Sequence, residues 1–126
     1  MDATATPSRL KSMSPQFLVA DLQRSLEFYT DKLGFEVDFQ YEGFYAGVRR
    51  DGHSIHLKMG EPSPDERANR RRNEHLDILF SVEGLDRLHH ELGEQAVEVT
   101  LPPRDMPYGR EFYIADPDGY ILGFLE

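Results

Sequence analysis

Apolar side chains change their spacing along the chain in an order that is repeated in its second half. The run Phe17-Leu18-Val19-Ala20 is short and continuous, as in a strand, and Asp21 stands where a helix N-cap belongs. Leu22, Leu26, Tyr29 and Leu33 then recur at spacings of four, three and four, the stripe of a helix packed on one face, and Gly34 supplies the left-handed residue that ends it. After Gly34 the period drops to two: Phe35, Val37, Phe39 and Tyr41 alternate with Glu36, Asp38 and Gln40. Two more strand-like runs, GFYAGV and SIHLKM, are joined through Arg49-Arg50-Asp51-Gly52, a hairpin turn. Residues 15–59 read β, α, β, β, β.

The second half follows the same order and partly the same letters. Val19-Ala20-Asp21-Leu22 is answered by Val82-Glu83-Gly84-Leu85, and Leu33-Gly34 by Leu92-Gly93, so the second helix, with the stripe Leu85, Leu88 and Leu92, is expected to be about one turn shorter. Strands are expected over 96–101, 110–115 and 120–125, the last two joined by Asp116-Pro117-Asp118-Gly119. The segment Pro102–Gly109, with three prolines, reads as a loop carrying Tyr108 and suited to a lid or a dimer contact.

Between the halves, GEPSPDERANRRRNE has no apolar periodicity and reads as a solvated connector; its arginines, Arg67, Arg70, Arg71 and Arg72, read as linker charge before an anion site. The expected organisation is a tail over 1–13 and one domain over 14–126, with a first unit 14–60, a linker 61–74 and a second unit 75–126. The fold class is α+β: two βαβββ units whose curved antiparallel sheets carry a helix on one face and close a ligand cup with the other.

Composition narrows the function. The chain has 126 residues, room for one domain. Its formal charge of -9 opposes a phosphate backbone, so nucleic acid is not an expected partner. With no cysteine, any metal must be held by His, Asp or Glu. The polar opening stretch has no apolar run of the length a signal peptide or membrane span requires, so the expected location is the cytoplasm, with no membrane partner. There is no G-x-S-x-G, P-loop, dinucleotide fingerprint or H-E-x-x-H.

The phrase FLVADLQRSLEFYTDKLGFEV, the hairpin REFYIADPDGYILGF and the duplicated βαβββ order together resemble the glyoxalase/bleomycin-resistance/extradiol-dioxygenase (vicinal-oxygen-chelate) superfamily, from about Ser14 to the C-terminus. Its members include metal-dependent lyases and dioxygenases as well as metal-free drug-binding proteins, so fold does not settle function. The resemblance implies metal-ligand positions at Ser14, His56, Asp77 and Gly123. Of these only His56 and Asp77 are good donors, with His75 a substitute for Asp77 if the register shifts. Leu18 and Gly60 stand where glyoxalase I places polar contacts to glutathione.

These residues imply a metal-independent small-molecule binding protein of the bleomycin-resistance type, its ligand aromatic or cationic and no cofactor required. The alternative is a metal-dependent lyase or dioxygenase. The expected ligand-binding residues are Leu18, Ser54, His56, Asp77, Leu79, Tyr108, Phe112 and Ile121. Phe112 is placed there, with Ile114 beside it, by a two-residue turn in the last hairpin, and the assignment reverses if the turn contains a bulge. The resemblance also implies a C2 homodimer.

Overall fold

The computed structural model describes residues 6–126. Strand β1 (Gln16–Val19) leads into helix α1 (Leu22–Glu27), which continues as a π-helical turn over Phe28–Lys32; β2 (Glu36–Tyr41), β3 (Tyr45–Arg50) and β4 (His53–Met59) follow. After helix α2 (Pro64–Arg72) come β5 (Ile78–Ser81), α3 (Leu85–Glu94), β6 (Val99–Met106), β7 (Gly109–Ala115) and β8 (Ile121–Leu125). The strands form two sheets, ordered β1-β4-β3-β2 and β5-β8-β7-β6. The expected sheets were antiparallel; both are mixed, because β1 pairs with β4 and β5 with β8 in parallel. A helical crossover returns the chain in its original direction, so β1 and β2 run alike, and the two reversals that follow give β4 that direction too.

Helix α1 begins as its sequence requires: the Asp21 side chain accepts the Arg24 N–H at 3.0 Å, and Gly34 has φ +74°. The stripe Leu22, Leu26, Tyr29 and Leu33 is buried. The wider π turn also buries Phe28, which the even spacing left off that face. Helix α3 departs from expectation. It runs ten residues, through Gly93 to Glu94, and is no turn shorter than its counterpart. The left-handed residue is Ala96 (φ +57°), and the Val97 N–H closes on the Leu92 carbonyl at 3.1 Å, which turns Val97 into the core.

Two further expectations change. The connector holds a nine-residue helix, α2, capped by Ser63 and opened by Pro64. It buries no apolar side chain, hence the missing periodicity; Arg67 lies over the Tyr120 ring, Arg67 and Arg70 pair with Asp77, and Arg71 pairs with Glu98. Pro102–Gly109 is no loop: β6 runs to Met106 at the sheet edge, with register shifts between Val99 and Arg104 that accommodate Pro102 and Pro103.

Helices and the inward faces of both sheets share one core, including Phe17, Val19, Tyr29, Ile55, Leu57, Leu85, Leu92, Phe112, Ile114, Leu122 and Phe124. The loop between β7 and β8 fastens the halves. Asp116 N–H bonds the Tyr120 carbonyl, leaving Pro117, Asp118 and Gly119 as a three-residue turn with Gly119 left-handed (φ +87°). Tyr120 stacks on Phe17 with ring centres 4.2 Å apart and donates to the Leu18 carbonyl at 2.8 Å. The Asp118 carboxylate accepts from Ala20 N–H, Arg24 and Ser25 at the start of α1.

Asp116 accepts the Tyr29 hydroxyl at 2.8 Å and two turn N–H groups, those of Asp118 and Tyr120, at 2.9 Å. Burial pushes its carboxyl up from 3.8 to about 6, against the lowering effect of these bonds; burial and the facing carboxylate together push the Tyr29 hydroxyl well above 10. A carboxyl whose folded pKa is raised favours the folded state most below its unfolded pKa, and that contribution is lost as pH rises through about 6. The melting temperature of the wild-type chain minus that of Asp116→Asn should therefore fall between pH 4 and pH 7; a constant difference would contradict it.

Candidate functional site

Each sheet has a second face that no strand-packed helix covers, and alternation decides what it displays. In the first sheet Phe17, Val19, Ile55 and Leu57 point to the core, so Gln16, Leu18, Ser54, His56 and Lys58 take the open face. Register places Tyr45, Gly47 and Arg49 beside them. A bulge between Val37 and Phe39 then splits the alternating set of β2: Phe35 is in the core, Val37 pairs with buried Val48, and Phe39 crosses to the open face opposite Gly47.

The centre of this face is an aromatic and polar group. The Tyr45 hydroxyl lies 2.9 Å from His56 Nδ1 and accepts the Gln16 side-chain amide at 3.0 Å. Phe39 meets His56 edge-on at 5.2 Å and stacks with Tyr45 at 6.0 Å. Gly47 makes this possible, since a Cβ there would lie 2.3 Å from the Phe39 ring. Leu18, Phe39 and Tyr41 on this face, and Phe44 in the β2–β3 turn, remain exposed.

In the second sheet the three-residue turn corrects one expectation. Because the loop is odd, Ala115 pairs with Ile121 and Tyr113 with Gly123, so Glu111, Tyr113 and Ala115 share the face away from the main core with Ile121, and all four are buried. Phe112 and Ile114, expected there, are wholly buried on the core side. Leu76, Leu101, Tyr113, Ala115 and Ile121 form a small apolar cluster, with Leu79 half exposed beside it. Gly123 leaves the space that Leu76 enters, a Cβ there lying 2.6 Å from a Leu76 methyl.

The polar part of this second face went unread in the sequence. The Glu111 side chain is 3% exposed and accepts Arg104 Nε at 2.8 Å and the Tyr108 hydroxyl at 2.9 Å. Arg104 also pairs with Glu74 and lies 5.9 Å from the Tyr113 ring centre. The bond to Glu111 raises the Tyr108 hydroxyl, and burial raises that of Tyr113. Tyr108 thus sits at the β6–β7 turn as a partner of Glu111. The available signal was the spacing of Glu111 and Tyr113, two apart like Ile121 and Gly123, once the turn length is known.

The expected metal positions do not converge. Ser14 is exposed before β1, His56 is engaged by Tyr45, and Gly123 has no donor. Asp77, expected in the cup, is held under α2: its carboxylate takes Arg70, the Ile121 N–H at 2.8 Å and Arg67 at 3.6 Å. His75 is exposed. Among the described residues no three His, Asp or Glu side chains could hold one ion. These residues do not fit the three-donor site an open catalytic metal requires.

The profile of the Glyoxalase/Bleomycin resistance protein/Dioxygenase superfamily matches residues 13–124. The chain belongs to that superfamily. YwkD of Bacillus subtilis (strain 168), an uncharacterized protein, is 31% identical to this superfamily member over 117 residues, covering 86% of this chain and 91% of that one. The bleomycin-binding protein of bleomycin-producing Streptomyces verticillus, solved with copper(II)-bleomycin, is 26% identical with a TM-score of 0.69, covering 94% of this chain and 98% of that one. TnmS3, an antibiotic binding protein from Streptomyces sp. CB03234, shares the fold at 22% identity and a TM-score of 0.70, with 96% and 97% covered. Among the described residues no helix is long and apolar enough to cross a membrane.

Asp77 separates a structural from a ligand-contacting role. Asp77→Ala removes the carboxylate that accepts from Arg70 and the Ile121 N–H and faces Arg67, and it should lower stability by roughly 1–3 kcal/mol in urea unfolding; a fully stable variant would show that these bonds contribute nothing.

Proposed function

We propose that this superfamily member is a metal-independent binding protein for an aromatic, cationic small molecule, and that its cup is completed only in a C2 homodimer. The observation that carries the reading is the state of the two open faces. On the first, Phe39, Tyr45 and His56 form a partly exposed aromatic and polar group; on the second, Tyr113 and Glu111 are buried beside the part-exposed Arg104, while Leu18, Tyr41 and Leu79 stay exposed in the single chain. A binding site encloses most of its ligand, so a face left this open needs a second wall.

The S. verticillus relative, solved with copper(II)-bleomycin, supports the ligand class. The acidic surface favours a cation over an anion, and aromatic faces attract both planar rings and positive charge. In the proposed dimer the first sheet of one protomer faces the second sheet of its partner, so each cup pairs the Tyr45–His56 group with Tyr113. Two-fold symmetry then gives two equivalent cups.

Mixing two defective variants tests ligand and assembly together. Tyr45→Ala and Tyr113→Ala each damage both cups of their own homodimer, but a mixed dimer of this geometry contains one intact cup. Metal-free bleomycin at a hundred times its dissociation constant should stabilise the wild-type chain by roughly 2.7 kcal/mol, leave either variant unmoved, and recover binding in the refolded mixture. Recovery absent while the wild type binds would place the cup within one chain; no shift of the wild type with bleomycin or other aromatic cations would remove the binding reading.

A further inference from the structure

The repeat of the two units is broken at one place, and the break leaves a groove. Phe17 pairs with Leu57 across β1 and β4 as Phe80 pairs with Phe124 across β5 and β8, so Phe80 holds the position of Phe17, and Ser81 that of Leu18. Counted from the turn glycines Gly119 and Gly52, His53 corresponds to Tyr120 and Asp51 to Asp118. On one side of the molecule the loop closes the junction: Tyr120 covers Phe17, and Asp118, its side chain 2% exposed, engages the start of α1.

The opposite junction is not closed. The β3–β4 turn is one residue shorter, Asp51 and Gly52 both being left-handed (φ +51° and +84°). Asp51 is 84% exposed and, among the described residues, paired only with its neighbour Arg50, and His53 is exposed. The start of α3 is served instead by Glu126, whose carboxylate accepts the Gly84 and Leu85 N–H groups at 3.0 Å. Between the turn and α3 lies a groove of about 880 Å³, floored by Leu33, Phe35, Phe80 and Phe124 and walled by Val82 and Leu88. That volume is in the range of small-molecule sites.

We propose that this groove is a second small-molecule site, separate from the open faces, and that it takes a planar hydroxyaryl ring. The occupant is argued from the junction that is filled, where the group between loop and strand is a phenol. A ring in the groove covers Phe80 as Tyr120 covers Phe17. Phe124 stacks on Phe80 at 5.3 Å and Phe35 meets it edge-on at 6.5 Å, so the ring extends an existing aromatic cluster. The ligand hydroxyl reaches the outer edge of β5 at Ser81, as the Tyr120 hydroxyl reaches the Leu18 carbonyl; β5 is an edge strand, whose outer peptide groups have no strand partner. Arg50, fixed by its 2.7 Å bond to the Leu33 carbonyl, and Arg87 give the rim its polar contacts.

The test is an amide NMR titration of the full chain with 2-naphthol. Saturable shifts are expected at Phe80, Ser81, Val82 and His53, with His56 and Tyr113 reporting any occupancy of the open faces separately. Two fillings should each weaken the groove shifts at least tenfold: His53→Tyr, which restores the ring present at the other junction, and Leu88→Trp, which narrows the groove from α3. Absence of saturable groove shifts, or equal affinity in both filled variants, overturns the site. So does movement of the same amides with protein concentration alone, which would mean that a side chain of a second copy fills the groove.

Discussion

The structure depends on the buried clasp between Asp116, Tyr29 and the turn that follows Asp116. One carboxylate closes the loop on itself through two N–H groups, takes the Tyr29 hydroxyl from the other half, and so fixes Tyr120 and Asp118 where they can cover Phe17 and cap α1. Burying that charge is unfavourable, as its raised pKa shows, and it is tolerated because every oxygen is occupied. The same turn is an odd number of residues long, which sets the parity of β7. A single loop therefore joins the halves and decides which side chains of the second sheet face away from the core.

Much of the architecture was legible because it rests on burial. The stripes of α1 and α3, the Asp21 cap, the Gly34 stop and the order of the strands all follow from where apolar side chains must go. What escaped was held by other forces. Helix α2 buries no apolar face and is secured by arginine–carboxylate pairs, which leave no periodic trace. The strand β6 carries two prolines that its edge position tolerates. Gly93 suggested a helix end, but the position of Val97 in the core draws the helix on and places Ala96 in the left-handed region.

The open faces were legible only in part, for a related reason. His56, Ser54, Leu18, Leu79 and Ile121 follow from simple alternation along unbulged strands and lie on the open faces. Phe112 did not, because parity across a hairpin turns on one loop residue. Phe39 was displaced by a bulge, and Asp77 was taken by a helix the sequence did not announce. Glu111 and Arg104 form a polar group from strands that read as plain β-structure, so only the register reveals them.

Gly47 and Gly123 have a consequence beyond fitting their neighbours. Each removes a side chain from the middle of an open face, and each gap is occupied by a side chain of the same face, Phe39 or Leu76, lying across bare main chain. Phe39 is itself more than one third exposed, and its ring lies against Tyr45, His56 and the Gly47 main chain. A rotation about its χ1 uncovers a ring-sized recess floored by peptide groups of β3, while every strand stays in place and the core packing is untouched. The shape of this open face is thus set by a rotamer, and it can vary independently of the stability of the fold beneath it.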